Sequence, residues 1–397
     1  MTHAPTLDLL APAPASADRA PSTVRKARVV LLQTQAEAAG AQEVSRVLGE
    51  GLAARGYDVH HVFLFRRTAA FDRQPNTFFC TTERPTGIWS LLRLLVVLVR
   101  HLRSMRPAAL ICFQHYGNLV GTLAGRLAGI DAIVTNRTTA RSLVPWWVER
   151  LDRTLGALGL FDRTVVTKTV EEEYRDFPPA YRARIVRIDH GLASKSTNLS
   201  RDAARSQLGL PGNATLLGSV ARLHPGKNLA AAIRLLPLDR RWHLAFAGQG
   251  AERERLADLA QSLGVAERVH FLGELAPGEI SIFLRALDVF VFPTLAEMFP
   301  IAVIEAADAG VPVVANDIKP VREVLVVDEK PCALFVDAAD TGAFAAAVQR
   351  VLADRKLRDE LTGRGRTLSQ VYSLDAMVDR FAALIDGLLP GAGAIRR

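Results

Sequence analysis

The sequence predicts an α/β protein made of two Rossmann-like, doubly wound domains that face each other across a cleft. Three observations carry that expectation. The chain has 397 residues, enough for two separate cores. Short β-branched or aromatic runs alternate with helix-period segments from Ala27 to Leu389, the pattern of parallel sheets covered by helices. The third is Leu287–Asn316, which reads as a complete strand-loop-helix-strand unit. There Val289-Phe290-Val291-Phe292 is a buried parallel strand, Pro293-Thr294 ends it, and Pro300 starts a helix where its missing N–H costs nothing. Gly310 closes that helix in the left-handed position, and Val311–Val314 is the next strand.

Taken in order, residues 1–26 are Ala- and Pro-rich and too poor in core-forming residues to order themselves. The first domain is expected over 27–195. It opens with a strand at Ala27–Gln33, a loop containing Gly40, a helix at Gln42–Arg55 and a strand from Tyr57. Ile88–Pro107 is a strongly apolar helix carrying Arg93, Arg100, Arg103 and Arg106. Its place just before the strand Ala108–Phe113 favours an ordinary core-facing helix over an interfacial one on an anionic membrane. His115 follows that strand beside Gly117, so it should point into the cleft ahead of a helix at Leu119–Leu127. The strand Ala132–Thr135 leads to a polar loop and a helix around Trp146-Trp147, whose indoles read as core in preference to an acceptor- or lipid-facing patch. Strands at Arg163–Thr167 and Arg184–Ile188 complete the domain, and 192–212 reads as a polar linker.

The second domain is expected over 196–373. The strand Thr215–Val220 runs into Arg222-Leu-His-Pro-Gly-Lys227, which lacks the spacing of a P-loop. Two fixed cations at a strand end would offset charge on a departing phosphate. The strand His243–Ala247 ends at Gly248-Gln-Gly250, where the third glycine of a dinucleotide fingerprint is missing. Arg268–Gly273 is a strand followed by Glu274-Leu275. Glu297 stands in the loop before the central helix and Glu305 within it, at most roughly 12 Å further along. That is the reach from the ribose to the sugar of a nucleotide sugar, with the diphosphate over the helix N-terminus. The last helix, 374–390, is expected to cross back onto the first domain.

Glu297 and Glu305, with Phe299-Pro300 between them and the flanking strands, resemble the E-x7-E signature of retaining glycosyltransferases of family 4, which have the GT-B fold. The resemblance covers most of residues 27–390 and is tightest over 216–323. It implies transfer of a sugar from a nucleoside diphosphate sugar to a hydroxyl, with retention, in surface polysaccharide or glycolipid synthesis. It assigns Arg222 and Lys227 to the donor pyrophosphate, Glu305 to the ribose, Glu297 to a hydroxyl of the donor sugar and His115 to the sugar site. Gly40, Gly248, Gly250, Leu275 and the Phe299-Pro300-Ile301 helix entry complete the donor-binding set. Where the family often has a double glycine before a final acid, this chain has Lys319-Pro320 before Glu323.

No Asp-x-Asp occurs, so no metal and no cofactor is expected; the nucleotide sugar is the co-substrate. The partners are that donor and a glycan or lipid-linked acceptor, with no nucleic acid. Residues 1–195 hold 26 Lys and Arg against 17 Asp and Glu, and the remainder 23 against 24. The positive excess fits either an anionic partner such as a membrane surface, or a general arginine bias of the chain. Cys80, Cys112 and Cys332 form neither a zinc spacing nor a disulfide framework, which suits a reducing cytoplasm, with the inner face of the membrane as a peripheral site. No apolar run is long enough to span a bilayer, and the N-terminus lacks a signal-peptide pattern. The alternatives are a nucleotide-sugar epimerase of the same fold, a nicotinamide enzyme and a non-catalytic nucleotide-binding protein.

Overall fold

The computed structural model describes residues 27–37, 40–138, 141, 144–192 and 197–389. The tail expected over 1–26 and the domain boundary expected at 195–196 lie outside the described residues. In the first half the elements are β1 (Arg28–Ala36), α1 (Gly40–Ala54), β2 (Asp58–Arg66), β3 (Thr77–Thr81), α2 (Ile88–Met105), β4 (Ala109–Phe113), α3 (His115–Ala128), β5 (Ala132–Asn136), α4 (Trp146–Ala157), β6 (Arg163–Val166), α5 (Lys168–Glu171), α6 (Pro179–Arg182) and β7 (Ile185–Arg187). The second half holds α7 (Arg201–Gln207), β8 (Thr215–Val220), α8 (Leu229–Ile233), β9 (Trp242–Ala247), α9 (Arg253–Ser262), β10 (Val269–Gly273), α10 (Pro277–Ala286), β11 (Val289–Phe292), α11 (Ile301–Asp308), β12 (Val313–Asn316) and α12 (Lys319–Val324). A small hairpin, β13 (Val326–Val327) and β14 (Lys330–Pro331), precedes β15 (Leu334–Val336), α13 (Thr341–Ala353), α14 (Arg355–Gly365), α15 (Leu368–Val371) and α16 (Leu374–Leu388).

Two parallel sheets result, ordered β3-β2-β1-β4-β5-β6-β7 and β10-β9-β8-β11-β12-β15. In each, the strand order reverses once, between β1 and β4 and between β8 and β11. Open α/β sheets bind ligands at such switch points, beyond the carboxyl ends of the strands. β11 shows why its sequence is apolar throughout. Phe290 and Phe292 enter the core on one face of the second sheet, and Val289 and Val291 enter the core on the other. The first sheet is covered on both faces in the same way. On one of those faces α16 packs beside α1, with Phe381, Met377 and Ile385 against Val44 and Leu48. Arg55 adds an ion pair to Asp379 at 2.6 Å, and the Tyr57 hydroxyl donates to Asp386 at 2.5 Å. The last helix therefore crosses back to the first domain.

Several local expectations need correction. β3 is an extra edge strand, too short and too flanked by polar residues to stand out from periodicity. The polar linker contains α7, capped by Ser200, whose hydroxyl accepts from Ala203 N at 3.2 Å. Arg205 on α7 is buried because it reaches Asp288 and three backbone carbonyls at once. Pro300 is the N-cap of α11, not its first turn: its ψ of 78° is non-helical, while its carbonyl accepts from Ile304. Trp146 and Trp147 are exposed and not in the core. The buried face of α4 is Val148, Asp152, Leu155 and Gly156, and the indoles precede that stripe. On α2 only Leu94, Leu98 and Leu102 are buried, because a helix offers one stripe to a sheet; Ile88, Trp89, Leu91, Leu92 and Val96 face outward.

Candidate active site

The loop after β8 and the loop after β11 meet at the switch point of the second sheet. A single 3₁₀ turn, Pro225–Lys227, shapes the first of them. His224 Nδ1 accepts from Gly226 N at 3.2 Å, and Asn228 takes the left-handed conformation (φ 50°). Leu295 N donates to the carbonyl of Gly226 at 3.0 Å, which ties the two loops together. As a result Lys227 Nζ forms an ion pair with Glu297 Oε1. The buried Thr294 stands beside them, its Oγ1 3.4 Å from the same carboxylate oxygen. Asn316, at the end of β12, donates to the carbonyl of Thr294 at 2.8 Å and accepts from Ala338 N at 2.9 Å. It is a positioning residue that sequence reasoning missed, because only its place at a strand end marked it.

Arg222 is exposed and has no hydrogen-bond or ion-pair partner among the described residues. It leaves the strand end five residues before Lys227, so one cation is held and the other is free to meet a ligand. Gly248 and Gly250 face this same loop. A Cβ on Gly248 would collide with the carbonyl of Ala221, and one on Gly250 with that of Leu223; Gly248 also has φ 140°. The glycines let the β9 turn lie flat on the Arg222 loop, where Leu223 N donates to Gln249 O at 3.1 Å and Glu252 N donates to Leu223 O at 3.1 Å. Leu275 follows β10, half-buried against one core of the second domain, while its neighbour Glu274 is hydrogen-bonded by Gln249.

Beyond Glu297 the chain turns toward the first domain. Met298 packs into the core on the α2–α4 face of the first sheet. Phe299 is buried between His190 and Tyr372, with ring centroids 5.0 and 5.3 Å away. Its side chain serves the domain junction, and Pro300 is buried and has no N–H. What this segment presents at the cleft is the N-terminus of α11, whose first N–H groups have no partner within the helix. A Cβ on Gly40 at the start of α1 would lie 4.0 Å from Ile301 Cδ1, so the first helix of one domain faces the site helix of the other. Glu305 is half-buried on α11.

His115 is the first residue of α3, not part of a loop before it; Gln114, with a positive φ of 62°, turns the chain directly into the helix. His115 lies in a first-domain pocket with Asn118, Arg137, Arg141, Glu149 and Asp152 among its walls. Its Nδ1 is buried without a hydrogen-bond partner, and burial, then the nearby Arg137 charge, holds its pKa below the ordinary value. At neutral pH the imidazole is therefore uncharged. The pocket is framed by ion pairs that sequence reasoning did not find. Arg137 meets Asp152 at 2.5 Å, and Arg141 meets Glu149 at 2.7 Å and Asp176 at 2.8 Å. Their partners lie 8 to 35 residues away, so no local pattern announces them. Opposite the second domain's site loops, Lys319 pairs with Glu172 of the first domain and sits 3.8 Å from Glu323. The position that departs from the glycine pattern thus makes a contact between domains.

Residues 200–368 match the family model described as glycosyl transferases group 1. That stretch is the second domain, including both site loops and α11. The lipopolysaccharide core biosynthesis glycosyltransferase LpsE of Rhizobium meliloti (strain 1021) is 33% identical over 185 residues, covering 46% of this chain and 52% of LpsE. A D-inositol 3-phosphate glycosyltransferase of Rhodococcus opacus (strain B4) is 34% identical over 196 residues, covering 46% of this chain and 44% of that protein. The chain spans about half the length of the curated relatives it matches. Among solved structures, Anabaena HepE in complex with UDP and glucose superposes with a TM-score of 0.78 at 16% identity, over 91% of this chain and 100% of that one. Sucrose-phosphate synthase from Thermosynechococcus elongatus gives 0.77 at 21%, over 91% and 99%. The fold is GT-B, both domains included.

Proposed function

We propose that the protein is a retaining glycosyltransferase that moves a sugar from a nucleoside diphosphate sugar to a hydroxyl of a glycan or lipid-linked acceptor. The observation that carries this reading is the switch point of the second sheet. There a free Arg222, the Lys227–Glu297 pair and the open N-terminus of α11 converge. Arg222, Lys227 and the helix N-terminus suit a diphosphate, and Glu297 and Glu305 suit sugar and ribose hydroxyls. The bond from the anomeric carbon to the diphosphate oxygen breaks while the acceptor oxygen bonds on the same face. The acceptor proton passes to the departing phosphate oxygen. The two cations offset the charge that develops there, so the proposed transfer needs no metal ion. The family match over the second domain and the neighbour solved with UDP and glucose support a nucleotide-sugar donor. Relatives named for lipopolysaccharide core and O-antigen biosynthesis support a surface-glycan acceptor.

The acceptor side of this reading is a peripheral protein at an anionic membrane. No helix among the described residues is long and apolar enough to cross a bilayer. Helices α2, α3 and α4 cover one face of the first sheet and turn apolar side chains outward, with Trp89 81% and Trp146 77% exposed. Arg93, Arg100, Arg103 and Arg106 are all exposed along α2. Apolar and basic side chains on one surface match an interface of anionic headgroups over acyl chains.

A thermal-shift panel of UDP, GDP and ADP sugars tests the donor, and the anomeric configuration of the transferred sugar tests retention. Stabilisation by one nucleotide series and a retained anomer are expected. No shift with any of the three, or release of an epimerised sugar without acceptor, would overturn the proposal. Sedimentation with phosphatidylglycerol vesicles, but not with phosphatidylcholine vesicles, is the expected membrane result.

A further inference from the structure

The segment that follows β6 touches the second domain at two places, the Glu297 loop of the candidate site and the start of α12. Thr169, buried on α5, donates from Oγ1 to the carbonyl of Met298, the residue after Glu297. Thr167 Oγ1 lies 3.0 Å from Thr169 Oγ1 and, with the Thr169 proton given to Met298, is the donor of that pair. One turn further on, Glu172 pairs with Lys319 at the start of α12, the helix that carries Glu323. The same segment is anchored to its own domain, because Lys168 N donates to Asp189 Oδ1 at 2.6 Å and Val170 and Tyr174 are core residues. The loop it grips cannot move alone. Met298 is inserted in the first domain's core and Phe299 is stacked on His190 and Tyr372, at the two points where the chain passes between domains.

We propose that residues 167–172 form a two-point latch between the domains, with Thr169 a positioning residue that fixes Glu297 through the Met298 carbonyl. This rests on the glycosyltransferase reading for its effect on turnover, but not for the latch itself. A carbonyl held on the residue next to Glu297 sets the loop's height above the cleft. The Glu172–Lys319 pair sets the α12 loop on the far side. Among the described residues neither Arg222 nor Lys227 contacts residues 167–172; Lys227 meets the gripped loop through its ion pair with Glu297. The latch should therefore govern alignment of the donor sugar with the acceptor, and leave capture of the nucleotide to the second domain.

Hydrogen–deuterium exchange on the full chain without ligand tests the latch directly. Thr169→Val keeps the side chain's shape and removes the donor. It is expected to speed amide exchange over 297–301 about fivefold, the effect of losing one buried hydrogen bond, whereas Thr169→Ser should exchange like the wild type. Glu172→Lys and Lys319→Glu, each alone, should speed exchange over 318–323 about twofold, as for an exposed pair, and the double swap should restore part of it, since each new charge also faces a like one, Arg175 or Glu323. In turnover with the sugar nucleotide that stabilises the wild type most in the UDP, GDP and ADP panel, Thr169→Val should lower kcat about tenfold with donor KM within twofold. Thr169→Ser should recover kcat.

Equal exchange in Thr169→Val and Thr169→Ser, or a double swap no better than its single variants, would overturn the latch. If Thr169→Val does not fold, the charge swap decides alone. A wild type that turns over no sugar nucleotide would count against the proposed function, and the exchange measurements would still decide the latch.

Discussion

Charged side chains at the second domain's switch point stand on loops and have one charged partner or none among the described residues, whereas those around His115 in the first domain are locked in ion pairs, with Arg137 and Asp152 buried. Among the described residues Arg222 is free and the Lys227 side chain has the single partner Glu297. Arg137 is 7% exposed, fixed by Asp152 and by Thr164 Oγ1 at 3.0 Å, while Tyr181 holds the other oxygen of Asp152 at 2.9 Å. Free cations can answer a charged ligand that comes and goes. Neutralised, buried ones cannot; they fix the walls of a pocket, which then selects by shape and hydrogen bonds. The switch point lies within the stretch matched by the family model. The contrast separates the proposed donor apparatus, built on charge, from a first-domain pocket built on rigidity.

The largest effect should come from breaking a locked pair. Arg137→Ala leaves Asp152 buried without its cation, which costs about 3–5 kcal/mol. Urea unfolding should show that loss in the first domain; a loss under 1 kcal/mol would mean that Asp152 finds water. Acid should act on the same side of the molecule. Burial holds His61 and His190 down to about 4 from an ordinary 6.5, the charges of His60 and Arg46 adding to the effect at His61 and Asp189 opposing it at His190. With the folded pKa below the unfolded one, the unfolded chain takes the proton first. Stability is therefore complete above about pH 6.5 and is lost as pH falls toward 4, by roughly 3 kcal/mol for each histidine. His190→Phe should flatten that loss in a calorimetric pH series. An unchanged slope would assign the acid sensitivity elsewhere.

Legibility in the sequence follows the same divide. Strand β11, the helix stop at Gly310 and the cations of the Arg222 loop were readable because each depends on neighbours within a few residues. The alternation of Val and Phe names a strand buried on both faces, and Gly310 indeed has φ 75°. Phe299 was readable as part of the site loop but not as a wedge between His190 and Tyr372, since those partners lie 109 and 73 residues away. Lys319 read only as a departure from a glycine pattern; its partner Glu172 is 147 residues distant. Trp146 misled because apolar residues favour burial on average, and a surface that keeps them exposed looks the same in composition.

Within the second domain the two kinds of charge contact should separate in kinetics. Arg222→Ala removes a free cation and should leave stability within about 0.5 kcal/mol of wild type. If it stabilises the leaving diphosphate, kcat falls about a hundredfold with donor KM little changed. Glu305→Ala should do the reverse on a smaller scale. A carboxylate that grips a ribose holds ground state and transition state alike, so its loss raises donor KM about tenfold and leaves kcat nearly intact. The comparison is sharpest in one experiment, initial rates over a donor series for both variants against wild type. Were Glu305→Ala to lower kcat as Arg222→Ala does, the acid would belong to the reacting end of the donor. The helix α11 would then present its side chains to the sugar and not to the ribose.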